Sequence, residues 1–180
     1  MKEERLRIAV QKSGRLSEKS IELLKKCGIT FDLRKDQLLN SSQDFPIDLM
    51  LVRDDDIPTY TKDGVCDLGV VGENVLRETE LSSQSDGPRI LSLTALSFGF
   101  CRLSLAVPET FAFESPDSLA GLVIATSYPA CLKDFLTQRG IKAKIVELKG
   151  SVEIAPALGI ADAICDLISS GATLRSNGLK

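Results

Sequence analysis

The chain has 180 residues, 43% of them apolar, and a formal net charge of −3 from 22 Lys and Arg against 25 Asp and Glu. That is enough apolar material for a real core in one large domain or two small lobes, and it excludes a disordered chain or a generally basic nucleic-acid-binding surface. With no histidine in the sequence, Ser-His and Cys-His nucleophilic catalysis are excluded for this chain alone, so its chemistry must rest on positioning, charge and bound metal.

No apolar run is long enough to span a membrane, and Met1 to Arg7 is charged where a secretory signal would turn apolar, so the cytoplasm is the expected compartment. Cys27, Cys66, Cys101, Cys131 and Cys165 are widely spread with no Cys-x-x-Cys pair, which predicts reduced, mostly buried thiols rather than disulfides or a zinc site.

In chain order, Leu6 to Val10 reads as a buried parallel strand. It feeds Gln11 to Leu16, a loop with two cations and a glycine. Ser17 is expected to cap an amphipathic helix whose apolar face uses Ile21 and Leu24 and ends near Cys27, with Gly28 in the C′ position. Phe31 to Ser42 reads as short strands or an irregular hairpin. Ile47 to Val52 is the next buried strand, followed by Arg53 and the aspartates Asp54, Asp55 and Asp56, which are placed to cap the helix that Pro58 helps begin. Arg53 stands at the carboxyl end of a parallel strand, where open α/β sheets bind ligands, and Lys12 and Arg15 follow an earlier strand end. Three cations could converge there on a triphosphate; the other reading is solvated surface charge.

Gly64-Val65-Cys66-Asp67 turns into the strand Leu68 to Val71, with Gly72-Glu73-Asn74 opening a helix. The plan recurs at Gly159-Ile160-Ala161-Asp162 before the strand Ala163 to Ile168, a weak pseudo-repeat that suggests two lobes built alike. Between the copies, 84–87 is a polar break, Arg89 to Leu96 is extended, and Arg102 to Val107 begins a second set of strands. A short helix is expected around Ser115 to Leu119. Leu122 to Thr126 is a strand running into a helix from Pro129 to Gln138, stopped by Gly140, and Ala143 to Leu148 is a further strand. Gly150-Ser151-Val152-Glu153 opens a short helix. Strands alternating with helices argue α/β with mainly parallel sheets.

The last motif is the most informative. Asp162 to Ile168, a strand carrying Asp162 and Asp166, runs into Ser169-Ser170-Gly171-Ala172-Thr173 and then a short helix ending at Asn177-Gly178. Backbone N–H groups of such a turn can converge on a phosphate, the hydroxyls add donors, and the two aspartates can accept from sugar hydroxyls. An ordinary strand-to-helix turn with Ser and Thr caps is the alternative on composition alone.

This stretch closely resembles the phosphoribosyl-diphosphate (PRPP) loop of the ATP phosphoribosyltransferase family, the first enzyme of histidine biosynthesis. Gln11-Lys12-Ser13-Gly14-Arg15-Leu16, Val52-Arg53-Asp54-Asp55-Asp56-Ile57-Pro58, Asp67-Leu68-Gly69-Val70-Val71-Gly72-Glu73-Asn74-Val75-Leu76, Ala125-Thr126-Ser127-Tyr128-Pro129 and Gly150-Ser151-Val152-Glu153 resemble that family too, in its order. Where the family usually carries Thr in the loop, this chain has Ser170, which keeps a hydroxyl.

The resemblance implies two α/β lobes around a cleft, similar to type II periplasmic binding proteins: lobe I at 1–94 on the ATP side and lobe II at 95–180 with the PRPP loop. It implies transfer of the phosphoribosyl group to N1 of ATP with Mg²⁺ and no side-chain base or nucleophile. PRPP contacts would come from Glu153, Asp162, Asp166, Ser169, Ser170, Gly171, Ala172 and Thr173. ATP contacts would come from Lys12, Arg15, Leu16, Arg53, Asp67, Glu73 and Tyr128, although Glu73 also suits a helix-dipole partner and Tyr128 a packed loop. The metal ligands are left open. The family assembles through dimers, and its shorter members use a separate regulatory subunit. Against that pattern, the return segment and the C-terminal regulatory domain are expected to be absent, as in a truncated catalytic core. The rival reading is a non-enzymatic module of periplasmic-binding type for a small anion or amino acid.

Overall fold

The computed structural model describes residues 5–34, 36–83 and 89–180; the polar break expected at 84–87 lies outside them. The chain divides into two compact units, Met1–Thr79 with Ser83–Gly99, and Glu80–Ser82 with Phe100–Lys180.

The first unit is built on β1 (Leu6–Gln11), α1 (Arg15–Lys26), β2 (Leu39–Ser41), β3 (Ile47–Val52), α2 (Ile57–Lys62), β4 (Leu68–Gly69) and α3 (Glu73–Ser82). Its sheet runs β2-β3-β1-β4. β1 pairs in parallel with β3 and β4, and only the edge strand β2 is antiparallel. Strand alternation explains the helices on both sides: Ile8 and Val10 pack with Leu24 of α1 and Leu49, while the intervening Ala9 packs with Ile57 of α2 and Cys66.

The second unit repeats the plan with β5 (Arg102–Ala106), β6 (Val123–Thr126), α4 (Pro129–Gln138), β7 (Lys144–Glu147), β8 (Ala163–Ile168) and α5 (Ala172–Ser176). Its sheet runs β5-β8-β6-β7, parallel except for β5 against β8. Along β8 the residues again divide: Ala163 and Cys165 join the cluster that contains Leu132 and Leu136 of α4, and Ile164 joins Val152, Ala155 and Leu174 on the opposite face. Leu179 closes that face, and Val107 and Lys180 exchange backbone hydrogen bonds at 2.9 Å.

Three local expectations are corrected. Ser17 does not cap α1; it is buried inside the helix, and Gly14 at φ 93° stands at the N-cap, so α1 begins at Arg15. Asp54–Asp56 form a 3-10 turn of their own; Asp56 does stand at the N-cap of α2, but neither that turn nor α2 takes a side-chain cap bond. Cys66 and Cys165 are buried, but Cys131 is half-buried and Cys27 and Cys101 are exposed. Cys27 lies at the C-cap of α1, just past its apolar stripe. Among the described residues, no helix is long and apolar enough to cross a membrane.

Candidate functional site

In the first unit the cations gather at the carboxyl ends of the strands. Register sets Gln11 opposite Val52, so Lys12 and Arg53 follow neighbouring strands at the same level, and Lys12 N–H donates to Val52 O at 2.7 Å. Both side chains are exposed. Arg15 and Leu16 open α1, and Glu73 opens α3 behind its N-cap Gly72. Because β1 lies between β3 and β4, this end of the sheet is a topological switch point, where loops diverge and leave room for a ligand.

Asp67 does not belong to that group. Its N–H donates to Arg7 O at 2.9 Å, and its carboxylate accepts from Arg7 N–H at 2.7 Å, at the start of β4 and of β1. That is the amino end of the sheet, the reverse of the one carrying Lys12 and Arg53.

The second unit holds an equivalent clamp. Asp162 N–H donates to Val123 O at 2.8 Å, and Val123 N–H donates to the Asp162 carboxylate at 2.8 Å, just ahead of β8 and β6. The seven residues from Asp162 to Ser169 span roughly 23 Å of strand at ~3.3 Å each. Asp162 is therefore out of reach of a sugar phosphate seated at the turn, and its place among the PRPP contacts is corrected: like Asp67, it starts a strand. The pseudo-repeat of Gly-x-x-Asp turns is a repeat of this clamp.

The turn after β8 leads directly into α5. Gly171 adopts φ 73° as the N-cap of α5, a left-handed conformation that favours glycine. Ala172 N–H reaches the Ser170 hydroxyl at 3.4 Å. The amides of Ser170, Gly171 and Thr173 donate to no acceptor among the described residues, which leaves them for a ligand. Ser169, Ser170, Ala172 and Thr173 are exposed and Gly171 is half-buried.

Asp166 shares the parity of Ile164, and that alternation turns it toward the face where the 3-10 turn Val152–Ile154 packs and carries Glu153. Asp166 is half-buried, and its carboxyl titrates above the usual range because burial disfavours its charge and Glu153 repels it, partly offset by Leu167 N–H. That N–H donates to Asp166 Oδ1 at 2.7 Å. Two carboxylates thus sit close enough to feel each other, near the turn. Tyr128 also belongs to the second unit, at the carboxyl end of β6 beside β8, where its N–H donates to the buried Thr126 hydroxyl at 2.9 Å.

Sequence reasoning missed Arg175. Its guanidinium donates to Ser170 O at 3.3 Å and lies over Gly171, where an added Cβ would come 3.1 Å from Nη1. The signal was its spacing of four from Gly171, which brings a helical side chain back over the preceding turn. The apolar pocket of about 110 Å³ lined by Leu103, Leu105, Cys131, Leu132, Phe135 and Cys165 offers no anion ligands.

The sequence profile of ATP phosphoribosyltransferase (HisG) matches residues 53–180. The chain belongs to the ATP phosphoribosyltransferase family. It is also similar to a solved ATP phosphoribosyltransferase HisG:HisZ complex from Thermotoga maritima, with 34% identity and a TM-score of 0.78 over 97% of this chain and 80% of that one. More distant likenesses are to the aliphatic sulphonate binding protein SsuA of Escherichia coli, at 20% identity and TM-score 0.57, and to SsuA of Xanthomonas axonopodis pv. citri, at 18% and 0.55. Each covers 98% of this chain and 59% of the other. These establish the fold alone: a two-lobed α/β fold of type II periplasmic-binding kind with mainly parallel sheets.

Proposed function

We propose that this chain joins N1 of ATP to C1′ of PRPP, giving N1-(5-phosphoribosyl)-ATP and diphosphate, the first step of histidine biosynthesis, in the cytoplasm. The carrying observation is the second unit's arrangement within this family: a left-handed turn with unpaired amides beside the Glu153–Asp166 carboxylate pair. The amides and the Ser169, Ser170 and Thr173 hydroxyls would hold the 5′-phosphate, with Arg175 adding positive charge. Asp166 and Glu153 would accept from the ribose hydroxyls. Lys12, Arg15 and Arg53 would hold the triphosphate of ATP, with Leu16 and Glu73 of the same unit, and Tyr128 would contribute to ATP binding from the second unit.

Such a site needs no general base, because adenine N1 already offers a lone pair. The protein's contribution is to hold N1 and C1′ in line and to stabilise the charge that develops as the C1′–O bond to diphosphate breaks. The carboxylate pair would suit Mg²⁺, which ordinarily takes one or two carboxylates together with waters and substrate phosphates. When bound, it would neutralise and orient the diphosphate leaving group. The reading includes a homo-oligomer built from dimers and a separate regulatory subunit; the similar Thermotoga maritima protein was solved as a HisG:HisZ complex.

A thermal-shift titration with Mg²⁺-PRPP tests it, with ribose 5-phosphate, amino acids and an alkanesulfonate as comparisons. At 100 times Kd a ligand that binds only the folded state adds about 2.7 kcal/mol. We expect a shift with PRPP that Gly171→Val removes, followed by Mg²⁺-dependent consumption of ATP. A shift only with an amino acid or sulfonate would instead favour a binding module.

A further inference from the structure

Arg175 is placed against the ordinary rule for a cation on a helix. It stands in the last turn of α5, where a positive charge usually complements the free carbonyls, yet its guanidinium reaches back the other way. Nη2 donates to Ser170 O at 3.3 Å, and Nη1 lies over Gly171, 3.1 Å from where a Cβ would be. The amides of Ser170, Gly171 and Thr173 at the same turn donate to no acceptor among the described residues. The guanidinium therefore adds positive charge and further donors to a place already short of acceptors. Among the described residues it makes no salt bridge, not even to Glu153 or Asp166.

One long bond to an exposed carbonyl does not account for that position, because Arg175 is itself exposed and ordering so flexible a side chain opposes the contact. An anion at the turn would resolve the imbalance. The planar guanidinium presents parallel N–H groups that match two oxygens of a phosphate, and such charge-assisted bonds are roughly twice as strong as neutral ones. The Ser170 carbonyl is the poorer acceptor, so the arginine is parked beside the turn by a contact that a phosphate can replace.

We propose that Arg175 fastens the 5′-phosphate of PRPP, exchanging the Ser170 carbonyl for two phosphate oxygens as the ligand enters, and so fixes which end of PRPP lies on the turn. The proposal rests on the PRPP reading of the turn and deepens it. Ribose 5-phosphate, which carries that phosphate without the diphosphate, separates the two ends.

Calorimetric titration of the full chain with ribose 5-phosphate, Mg²⁺-PRPP and ATP tests it, alongside amide and arginine side-chain N–H spectra. Arg175→Gln keeps a donor for Ser170 O and loses the charge. The expected result is a Kd raised by the same factor, about tenfold, for ribose 5-phosphate and PRPP, with the Kd for ATP unchanged. Arg175→Lys, which keeps the charge without the fork, recovers part of the loss. In the parent, an arginine side-chain N–H signal missing from Arg175→Gln shifts on saturation with ribose 5-phosphate. Unchanged Kd values in Arg175→Gln, with the Gly171 amide still moved by ribose 5-phosphate, would overturn the role of Arg175 and keep the turn as the phosphate site. A loss for PRPP alone would move Arg175 to the diphosphate end, and an equal loss for ATP would reduce it to a general charge effect; either overturns the assignment. Ribose 5-phosphate that leaves the Gly171 amide unmoved would overturn the reading of the turn, and the proposal with it.

Discussion

Asp166 is held in a state that costs the fold something. Burial and the neighbouring Glu153 raise its pKa above the ordinary carboxylate value, so the folded chain keeps the proton to higher pH than the unfolded chain does. Stability therefore falls as pH rises from the ordinary carboxylate value through the raised one, and above the raised value the cost is fully present. Asp166→Asn removes the charge and keeps an acceptor for Leu167 N–H. We expect its urea midpoint at neutral pH to lie above that of the parent, the difference to vanish below the ordinary carboxylate range, and PRPP binding to be lost. A lower midpoint for the variant at neutral pH would show that the charge is not a burden. Gly69 illustrates the opposite case, a residue needed purely for packing. A Cβ there would lie 2.5 Å from Ile57 Cγ2 and 2.9 Å from Thr61 Oγ1, where α2 presses on β4, so Gly69→Ala should cost ~1–3 kcal/mol in urea unfolding and leave ligand affinities unchanged.

At the scale of elements, the Asp67 and Asp162 clamps show where sequence reading succeeds and where it stops. The strands were legible because both sheets are covered on both faces, and their inner strands read as apolar runs such as Leu6 to Val10 and Ala163 to Ile168. The repeat of Gly-x-x-Asp before β4 and β8 was legible too. What each aspartate does was not, because only the register against β1 and β6 reveals that its carboxylate meets an N–H at the start of a neighbouring strand. Ser17 failed for a related reason: residue type suggested a cap, but Gly14 at φ 93° starts the helix earlier and draws Ser17 into the interior. The clamp reading makes a measurable claim. Asp162→Ala should lower stability by ~0.5–1.5 kcal/mol, the net worth of a hydrogen bond, with Asp162→Asn recovering most of it and the KM for PRPP unchanged in both. A large rise in that KM without loss of stability would return Asp162 to the substrate.

At the scale of the whole molecule, the alternation of strands and helices announced an α/β fold with mainly parallel sheets, whereas the strand orders, and the antiparallel β5 on the edge beside β8, depend on long-range pairing that no local pattern encodes. The division also separates the candidate site's parts: Lys12, Arg15 and Arg53 belong to the first unit, and Glu153, Asp166 and the Ser169–Thr173 turn to the second. Hydrogen exchange resolves such a division, since a bound ligand slows exchange where it supplies an acceptor or suppresses local opening. Ser170, Gly171 and Thr173 amides lack acceptors among the described residues, so in the free protein they should exchange quickly. Mg²⁺-PRPP alone should slow those three and leave Lys12 to Leu16 unaffected, while ATP alone should slow the loop around Lys12 and Arg15. Protection of the first-unit loop by PRPP as strong as that of the turn would mean that the phosphate is not held where the second unit offers its free amides, and the assignment of substrates to units would have to be exchanged.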